Sequence, residues 1–549
     1  MPNINTSAAP ISTNGAKVYG QDTLGNPGWM HAGILGNVMT IGLPGSTGFG
    51  VGVCDPAVLP VGFTPMSGYS DPLSPNYGNY QFSDGSVMVW IPKFFYRINH
   101  SENPTYSIYT PNDINIVGSE TFANRAAATA AGFVLHRAFI DGGVEQPGFF
   151  IDKYQVSKNA KGTGFIASSI KNGLPLSSGS DHNPISALTS VLGINANYAF
   201  LTAAKARDGV NGAVNNSSIF FNQSVFMSSA LAMLSLAHGQ AATGTANCAW
   251  WASATTNFPK GNNNNALRDT NDTTVLYVSD GYPNCAKTGS GNLFAKTTHN
   301  GQACGVSDIN GNMWQILIGM TSIVTTKAIS AITLANPCQV TTTAAHGYTT
   351  GQIVNITSIV GTTQLNDKLF TVTVVDPTNF TLDGVNATGY TAWVSGGTIY
   401  TGSFYVAKES VSMKSFTAGA TLATDHWGSV GVAAMMEAIT MPFIAASGGS
   451  SVTQLFGNGT NQVLSNGASG NSYALTSIGF PKDSSGISTT GTDLFGKDGF
   501  YQYIRDQLCV IGSGNWNAGS LAGVWLRYLG SIRSFSNAHY GGRSACYPV

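Results

Sequence analysis

Apolar and polar positions follow several different rhythms along the chain, and each rhythm predicts a different kind of element. Residues 1–80 show none, because Gly and Pro break every run: GQDTLGNPGW, then MHAGILGNVMTIGLPGSTGFGVGVCDP, then VLPVGFTPMSGYSDPLSPNYGNYQF. Such punctuation gives turns and extended stretches, not helices. It predicts an extended N-terminal arm with an attachment role, or else a subdomain wrapped on the main core. Residues 86–98, SVMVWIPKFFYRI, form an apolar run interrupted by Pro92, which fits two short strands or one edge strand with a bulge. Residues 132–158 predict strands at 133–139 and 148–156 around a Gly-Gly turn, with Asp152 and Lys153 pairing locally.

Helical spacing comes next. Residues 188–208 and 222–238 carry Ala, Leu and Met at near-helical intervals, predicting two helices with Met227, Leu231 and Leu234 turned into the core. The NNNN run of 262–265 reads as a surface turn. DINGNMWQILIGM, 308–320, sets a tight turn before an apolar strand carrying Trp314. From 327 to 397 the chain becomes dense in Thr and Val with turns every eight to twelve residues, the pattern of a small all-β barrel or sandwich. Aromatic, strand-like sequence resumes at Thr398, so the module reads as an insertion into a larger unit. A short helix around 430–440 and a Gly/Ser-rich loop region at 447–492 follow. The organisation expected is α+β: an arm at 1–80, a domain split between 81–326 and 398–549, and an inserted β module at 327–397.

Charge narrows the range of partners. Only 9% of residues are charged, and 25 Lys plus Arg balance 26 Asp plus Glu. That leaves no long-range attraction for nucleic acid or an anionic membrane. No apolar run is long enough to span a bilayer, and MPNINTSAAPISTNG lacks the basic leader and apolar segment of a secretory signal. Gly is in excess, 66 of 549 residues, consistent with many turns.

Catalytic and metal motifs are sparse. The histidines are far apart, and the seven cysteines at 54, 248, 285, 304, 338, 509 and 546 lack close metal-ligand pairs. No metal or cofactor is expected. GSTGFGVG at 45–52 approaches a phosphate loop in composition but lacks the lysine and follows a Pro-rich loop, so it reads as a surface turn. The carboxylates Asp141, Glu145, Asp152, Asp493, Asp498 and Asp506 lie near apolar runs, and a pair could serve glycosidase chemistry only at a separation that sequence does not show.

The last forty-five residues, RDQLCVIGSGNWNAGSLAGVWLRYLGSIRSFSNAHYGGRSACYPV, hold the strongest signal. Trp516, Trp525, Tyr528, Phe535, His539, Tyr540 and Tyr547 are separated by Gly, Ser and Asn instead of charge. Rigid aromatics among small polar residues make a neutral recognition surface, or else a Gly-rich core edge. Arg527, Arg533 and Arg543 are too few for a phosphate-binding patch, and Arg527 and Arg533 are expected to be held by carboxylates or carbonyls beneath the surface.

GSGNWNAGSLAGVWLRYLGSIRSFSNAHYGGRSA, 512–545, resembles the variable region of proteins diversified by retroelements, which include phage tropism determinants. The resemblance implies a fixed frame with Trp516, Trp525, Arg527, Arg533 and Arg543 as scaffold. It implies ligand contacts at Ala518, Leu521, Leu526, Tyr528, Leu529, Ser531 and Ile532, and at Phe535, Ser536, Asn537, Ala538, His539 and Tyr540. It also implies a C-type lectin-like fold. GFFIDKYQVS at 148–157 and GNMWQ at 311–315 resemble the formylglycine-generating-enzyme-like branch of that fold. SDGSVMVWIPKFFYRI and the lead before it resemble phage tail proteins, and 327–397 resembles the small β module named for ubiquitin-activating enzymes. Cys509 and Cys546 do not match the cysteine pair of the enzyme branch.

The function these resemblances imply is non-catalytic recognition of a host-surface protein or glycan by a phage or prophage tail protein. It would be made in the bacterial cytoplasm, assemble with other tail proteins and form a homo-oligomer, with a trimer favoured. The alternatives are a formylglycine-generating-type oxidase acting on a peptide cysteine, and a purely structural tail component.

Overall fold

The computed structural model of the chain describes residues 17–21, 27–31, 41–53, 59–188, 196–252, 260–417, 429–443 and 454–548. At its centre is the helix Val225–Ala241, buried on every side from Val225 to Gln240. A helix without a polar face has to be enclosed, and this one lies against strands Gly523–Tyr528 and Ile114–Gly118 and helix Gly470–Ser477. Ser224 caps it, its hydroxyl accepting the Met227 N–H at 3.2 Å. The helix predicted over 222–238 is therefore present, displaced by one turn. The one predicted over 188–208 is shorter, Ala199–Ala206, and 189–195 lie outside the described residues.

Three large sheets organise most of the rest of the described chain. One is antiparallel, in the order Phe221–Asn222, Ser544–Cys546, Gly148–Asp152, Val87–Pro92, Asn79–Phe82, Phe63–Pro65. The C-terminal strand thus inserts beside the strand read at 148–156. The second sheet is mixed, in the order Ile487–Ser488, Gln454–Phe456, Gly499–Tyr501, Gly523–Tyr528, Val510–Ser513, Trp314–Leu317, Tyr540–Gly541, with parallel pairs at Gly499–Tyr501/Gly523–Tyr528 and at Trp314–Leu317/Tyr540–Gly541.

The third closes on itself. Met320–Ile332, Cys338–Thr342, Asn379–Leu382, Lys368–Val374, Ile353–Val360 and Ser395–Ala407 pair in turn, and the last pairs back to the first, making a six-stranded barrel. Closure leaves no free edge among these strands. Its interior, including Val340, Val354, Phe380 and Ile399, forms an apolar cluster separate from the main core. The two 13-residue strands, paired from Met320↔Val406 to Ala328↔Thr398, carry the chain out to the barrel and back. The architecture is mixed α+β with several sheets and one closed barrel.

The run at 86–98 forms two short strands, the first of its two expected readings: Val87–Pro92 in the first sheet and Phe94–Ile98 in a three-stranded sheet with Ile114–Gly118 and Val134–Leu135. Several other local expectations change. The extended arm expected over 1–80 does not describe residues from Ile41 on: Ile41, Phe49 and Val51 are in the main core and Phe63–Pro65 joins the first sheet. Asp152 does not pair with Lys153. It is buried against Arg207 at 2.6 and 2.9 Å, while Lys153 donates to the Asn79 side chain and the Ala303 carbonyl. Only Ser429–Met435 of the stretch expected as a helix around 430–440 is helical, and Met436–Ile439 is a strand. The turn at 45–52 is not superficial: Gly48, Phe49 and Gly50 are buried, and Gly48 donates to Gln302 at 2.6 Å. Among the described residues no helix is long and apolar enough to cross a membrane.

Candidate functional site

Strand Gly523–Tyr528 divides its side chains by alternation. Trp525 and Arg527 face the core: Trp525 stacks on Phe456 with ring centroids 5.2 Å apart, and Arg527 donates to the carbonyls of Ile478, Val524 and Leu526 at 3.0–3.3 Å. Burial lowers the Arg527 pKa to about 10, still charged at neutral pH. Leu526 and Tyr528 face the other way, into a groove of about 360 Å³ lined also by Trp314, Tyr501, Tyr503, Asn515, Asn517, Ala518 and Leu521.

Tyr528 is the hub of the groove. Its ring lies 5.1 Å from Tyr501, 5.6 Å from Tyr503 and 5.6 Å from Trp314. The sheet brings them together, since Tyr501 is in register with Tyr528 across the parallel pair. Asn515 is 1% exposed, and its amide nitrogen has no hydrogen-bond partner although it lines the groove. A buried donor left unsatisfied costs about 1–3 kcal/mol, and among the residues lining the groove this amide is the one buried polar group without a partner.

The loop carrying Asn515, Asn517 and Ala518 is held from below. Gly519 donates to the Asn263 carbonyl at 2.8 Å and Asn263 Nδ2 donates back to Gly519 at 2.9 Å. Asn265 donates to the Trp516 carbonyl at 2.7 Å and Trp516 to the Asn312 carbonyl at 3.1 Å. The Asn run expected to be a surface turn is thus partly interior, with Asn262 and Asn263 at 1% and 0% exposure; Asn262 Nδ2 donates to the Asn284 carbonyl and Asn312 Oδ1, and Asn263 Nδ2 to the carbonyls of Lys260 and Gly519. Beneath them Lys260 Nζ meets Asp498 Oδ1 and the carbonyls of Gly496 (2.6 Å) and Ala522 (2.7 Å), while Asp498 Oδ2 accepts the Trp525 N–H at 2.9 Å. A methyl group at Gly523 would lie 2.0 Å from Asp498 Oδ1. Gly523→Ala should therefore displace this anchored carboxylate and cost about 2–3 kcal/mol, read as a lower midpoint in urea with an unchanged slope.

Sequence reasoning placed thirteen residues on a binding face, and the structure distributes them unevenly. Ala518, Leu521, Leu526 and Tyr528 line the groove. Phe535 (46% exposed) and Ser536 are on the surface, and Ile532, Asn537, Ala538 and His539 are half-buried beside them. Leu529, Ser531 and Tyr540 are a correction: all three are buried and none lines the groove, whereas Leu526, also buried, does. Leu529 pairs its N–H with the Tyr501 carbonyl at 3.1 Å, and Ser531 Oγ accepts Asn197 Nδ2 at 2.9 Å. Tyr540 packs under Phe535 and His539, with centroids at 5.8 and 5.2 Å. Trp516, Trp525, Arg527, Arg533 and Arg543 are all buried. Arg533 donates to Gln507 Oε1 at 2.9 Å and covers the Tyr198 ring, and Arg543 donates to the carbonyls of Asp152 and Lys153 at 3.1 Å.

His539 meets Trp516 edge-on at 5.4 Å. Burial lowers its pKa from 6.5 to about 4, against a small opposing pull from Asp181. The ring is therefore neutral at pH 7. Its contribution to stability is fully present above pH 6.5 and lost as pH falls toward 4. An imidazole NMR titration should place its midpoint near 4, and ligand binding should be flat between pH 8 and 6.

The other chemical candidates are tied up structurally. Asp141 accepts the Ser412 hydroxyl and the Met413 N–H at 2.7 Å. Glu145 pairs with Lys93, Asp493 with Lys497, and Asp506 accepts the Val324 N–H. Cys509 and Cys546 are free and fully buried, and burial pushes both thiols well up. Sequence reasoning missed Trp314, Tyr501, Tyr503, Asn515 and Asn517 as groove residues. The alternation in GFYQYI, with Phe500, Gln502 and Ile504 buried and Tyr501 and Tyr503 half-exposed between them, was the available signal.

A family match lies in the barrel. No curated protein matches the chain. Residues 335–401, which overlap the β module read at 327–397, are similar to the ubiquitin-activating enzyme E1 FCCH domain.

Proposed function

We propose that this chain is a non-catalytic recognition protein whose groove, walled by Trp314, Tyr501, Tyr503 and Tyr528, takes a host-surface glycan or a protein side chain. The observation that carries this reading is a groove whose lining combines four aromatic residues with Asn515, whose buried amide nitrogen has no partner. Aromatic area supplies apolar contact at low entropy cost, and a buried amide supplies orientation. Trp516, Trp525, Arg527 and Arg533 lie beneath this surface as supports, so the chain can change at the groove without unmaking the sheet.

The setting is a phage or prophage tail, synthesised in the bacterial cytoplasm and carried on the virion. It rests on the resemblance of 512–545 to retroelement-diversified variable regions and of the lead to tail proteins. A lectin-type fold for 81–326 with 398–549 rests on the resemblance of 148–157 and 311–315, and the mixed sheet presenting 512–545 is compatible with it. Each groove is small, so a homo-oligomer, with a trimer favoured, would raise affinity by avidity. The test is binding of the labelled full chain to bacterial envelopes and to arrayed bacterial glycans. Saturable binding that is lost on truncating groove aromatics supports the reading. Binding that survives their loss contradicts it.

A further inference from the structure

Outside the groove, one cluster of side chains is unaccounted for. His182, Asp280 and Cys285 come from two loops and bring one ligand atom each to within 4.8 Å of the others. The loops are tightly turned. Ser177 accepts nothing from the ring but fixes its backbone, donating its N–H to the Asn183 carbonyl at 3.0 Å and its hydroxyl to the His182 carbonyl. Asp280 donates its N–H to the Cys285 carbonyl at 3.1 Å, and its Oδ1 accepts the Tyr282 N–H at 2.8 Å. That leaves Oδ2 free of the turn. It lies 3.2 Å from His182 Nε2, with both side chains almost wholly enclosed, yet neither atom makes a hydrogen bond of acceptable alignment.

Two polar atoms this close, buried and misaligned, are poorly explained as a pair. They are well explained as two ligands of one ion: at Zn–N and Zn–O lengths near 2.0–2.1 Å, tetrahedral ligands sit roughly 3.3 Å apart. The donor set of imidazole nitrogen, carboxylate oxygen and thiol sulfur suits zinc and not calcium or magnesium, which take oxygen. We propose that His182, Asp280 and Cys285 bind a zinc ion that clamps the 280–285 turn to the loop of His182. Met313 Sδ, 3.9 Å from Cys285 Sγ, bounds the site on its apolar side. The Tyr282 ring covers His182 at 4.1 Å and Trp516 meets both rings, at 5.8 and 6.2 Å. Because Trp516 also abuts His539, the ion fixes the layer under the 535–539 surface patch. The site stands whether or not the groove binds a ligand.

The test uses the full chain, stripped with a chelator and titrated with Co²⁺ and then Zn²⁺. One equivalent of Co²⁺ should bind with a thiolate-to-metal charge-transfer band, Zn²⁺ should displace it, and Zn²⁺ should raise Tm. Cys285→Ser should abolish the band and weaken binding at least 100-fold, while Cys338→Ser in the barrel should leave it intact. The wild-type titration decides the matter even where a variant folds poorly. A folded wild-type chain that takes up no Co²⁺, a band that survives Cys285→Ser, or binding of copper alone overturns the proposal.

Discussion

Lys260→Met should lower the free energy of unfolding by about 3–5 kcal/mol. Lys260 and Asp498 are both fully enclosed, and the ammonium also satisfies the carbonyls of Gly496 and Ala522. Removing it strands a carboxylate in the interior with the Trp525 N–H as a remaining donor. Paired removal is different in kind: Lys260→Met with Asp498→Leu takes away both charges and should recover most of the loss. Urea unfolding of the two variants separates these outcomes. The site lies under the 514–522 loop, so the single variant should also weaken ligand binding while the double variant restores the sheet.

Truncating Tyr503 and Tyr528 together to Ala should reduce binding at least 100-fold. Buried aromatic contacts at an interface are worth about 2 kcal/mol or more each when truncated, and every 1.4 kcal/mol is tenfold. Tyr528 touches Trp314, Tyr501 and Tyr503, so its removal opens the groove as well as deleting a contact. Neither residue is fully buried, and the cost in stability should be about 1–2 kcal/mol, leaving a cooperative melt. Phe535→Ala, on the adjoining exposed patch, should weaken binding less than tenfold. Titration of the labelled chain against bacterial envelopes reads the binding of both variants.

Some of this was legible in the sequence and some was not, for identifiable reasons. The barrel declares itself because Thr- and Val-rich strands with frequent turns have few other folds open to them. The central helix declares itself through its Ala, Leu and Met run. The split of the terminal stretch into core and surface was only half legible. Trp525 and Arg527 oppose Leu526 and Tyr528 by simple alternation, but Leu529, Ser531 and Tyr540 are covered by distant segments, notably Tyr501 and Asn197. Nothing local in GSIRSFSNAHY shows that cover. The Asn run misled for a physical reason: amides can be buried when other amides and carbonyls solvate them, as Asn312 and the backbone do for Asn262 and the backbone does for Asn263. The His182, Asp280 and Cys285 cluster joins residues about a hundred positions apart and has no sequence signature.

The central claim is that the groove itself is the ligand site, and filling it is the most direct test. Ala518 is half-exposed on the groove wall, so Ala518→Trp adds bulk to the cavity while leaving all four wall aromatics in place. Envelope binding should be abolished with Tm unchanged within about 2 °C, a surface substitution costing little. Undiminished binding by a folded Ala518→Trp chain would contradict the account.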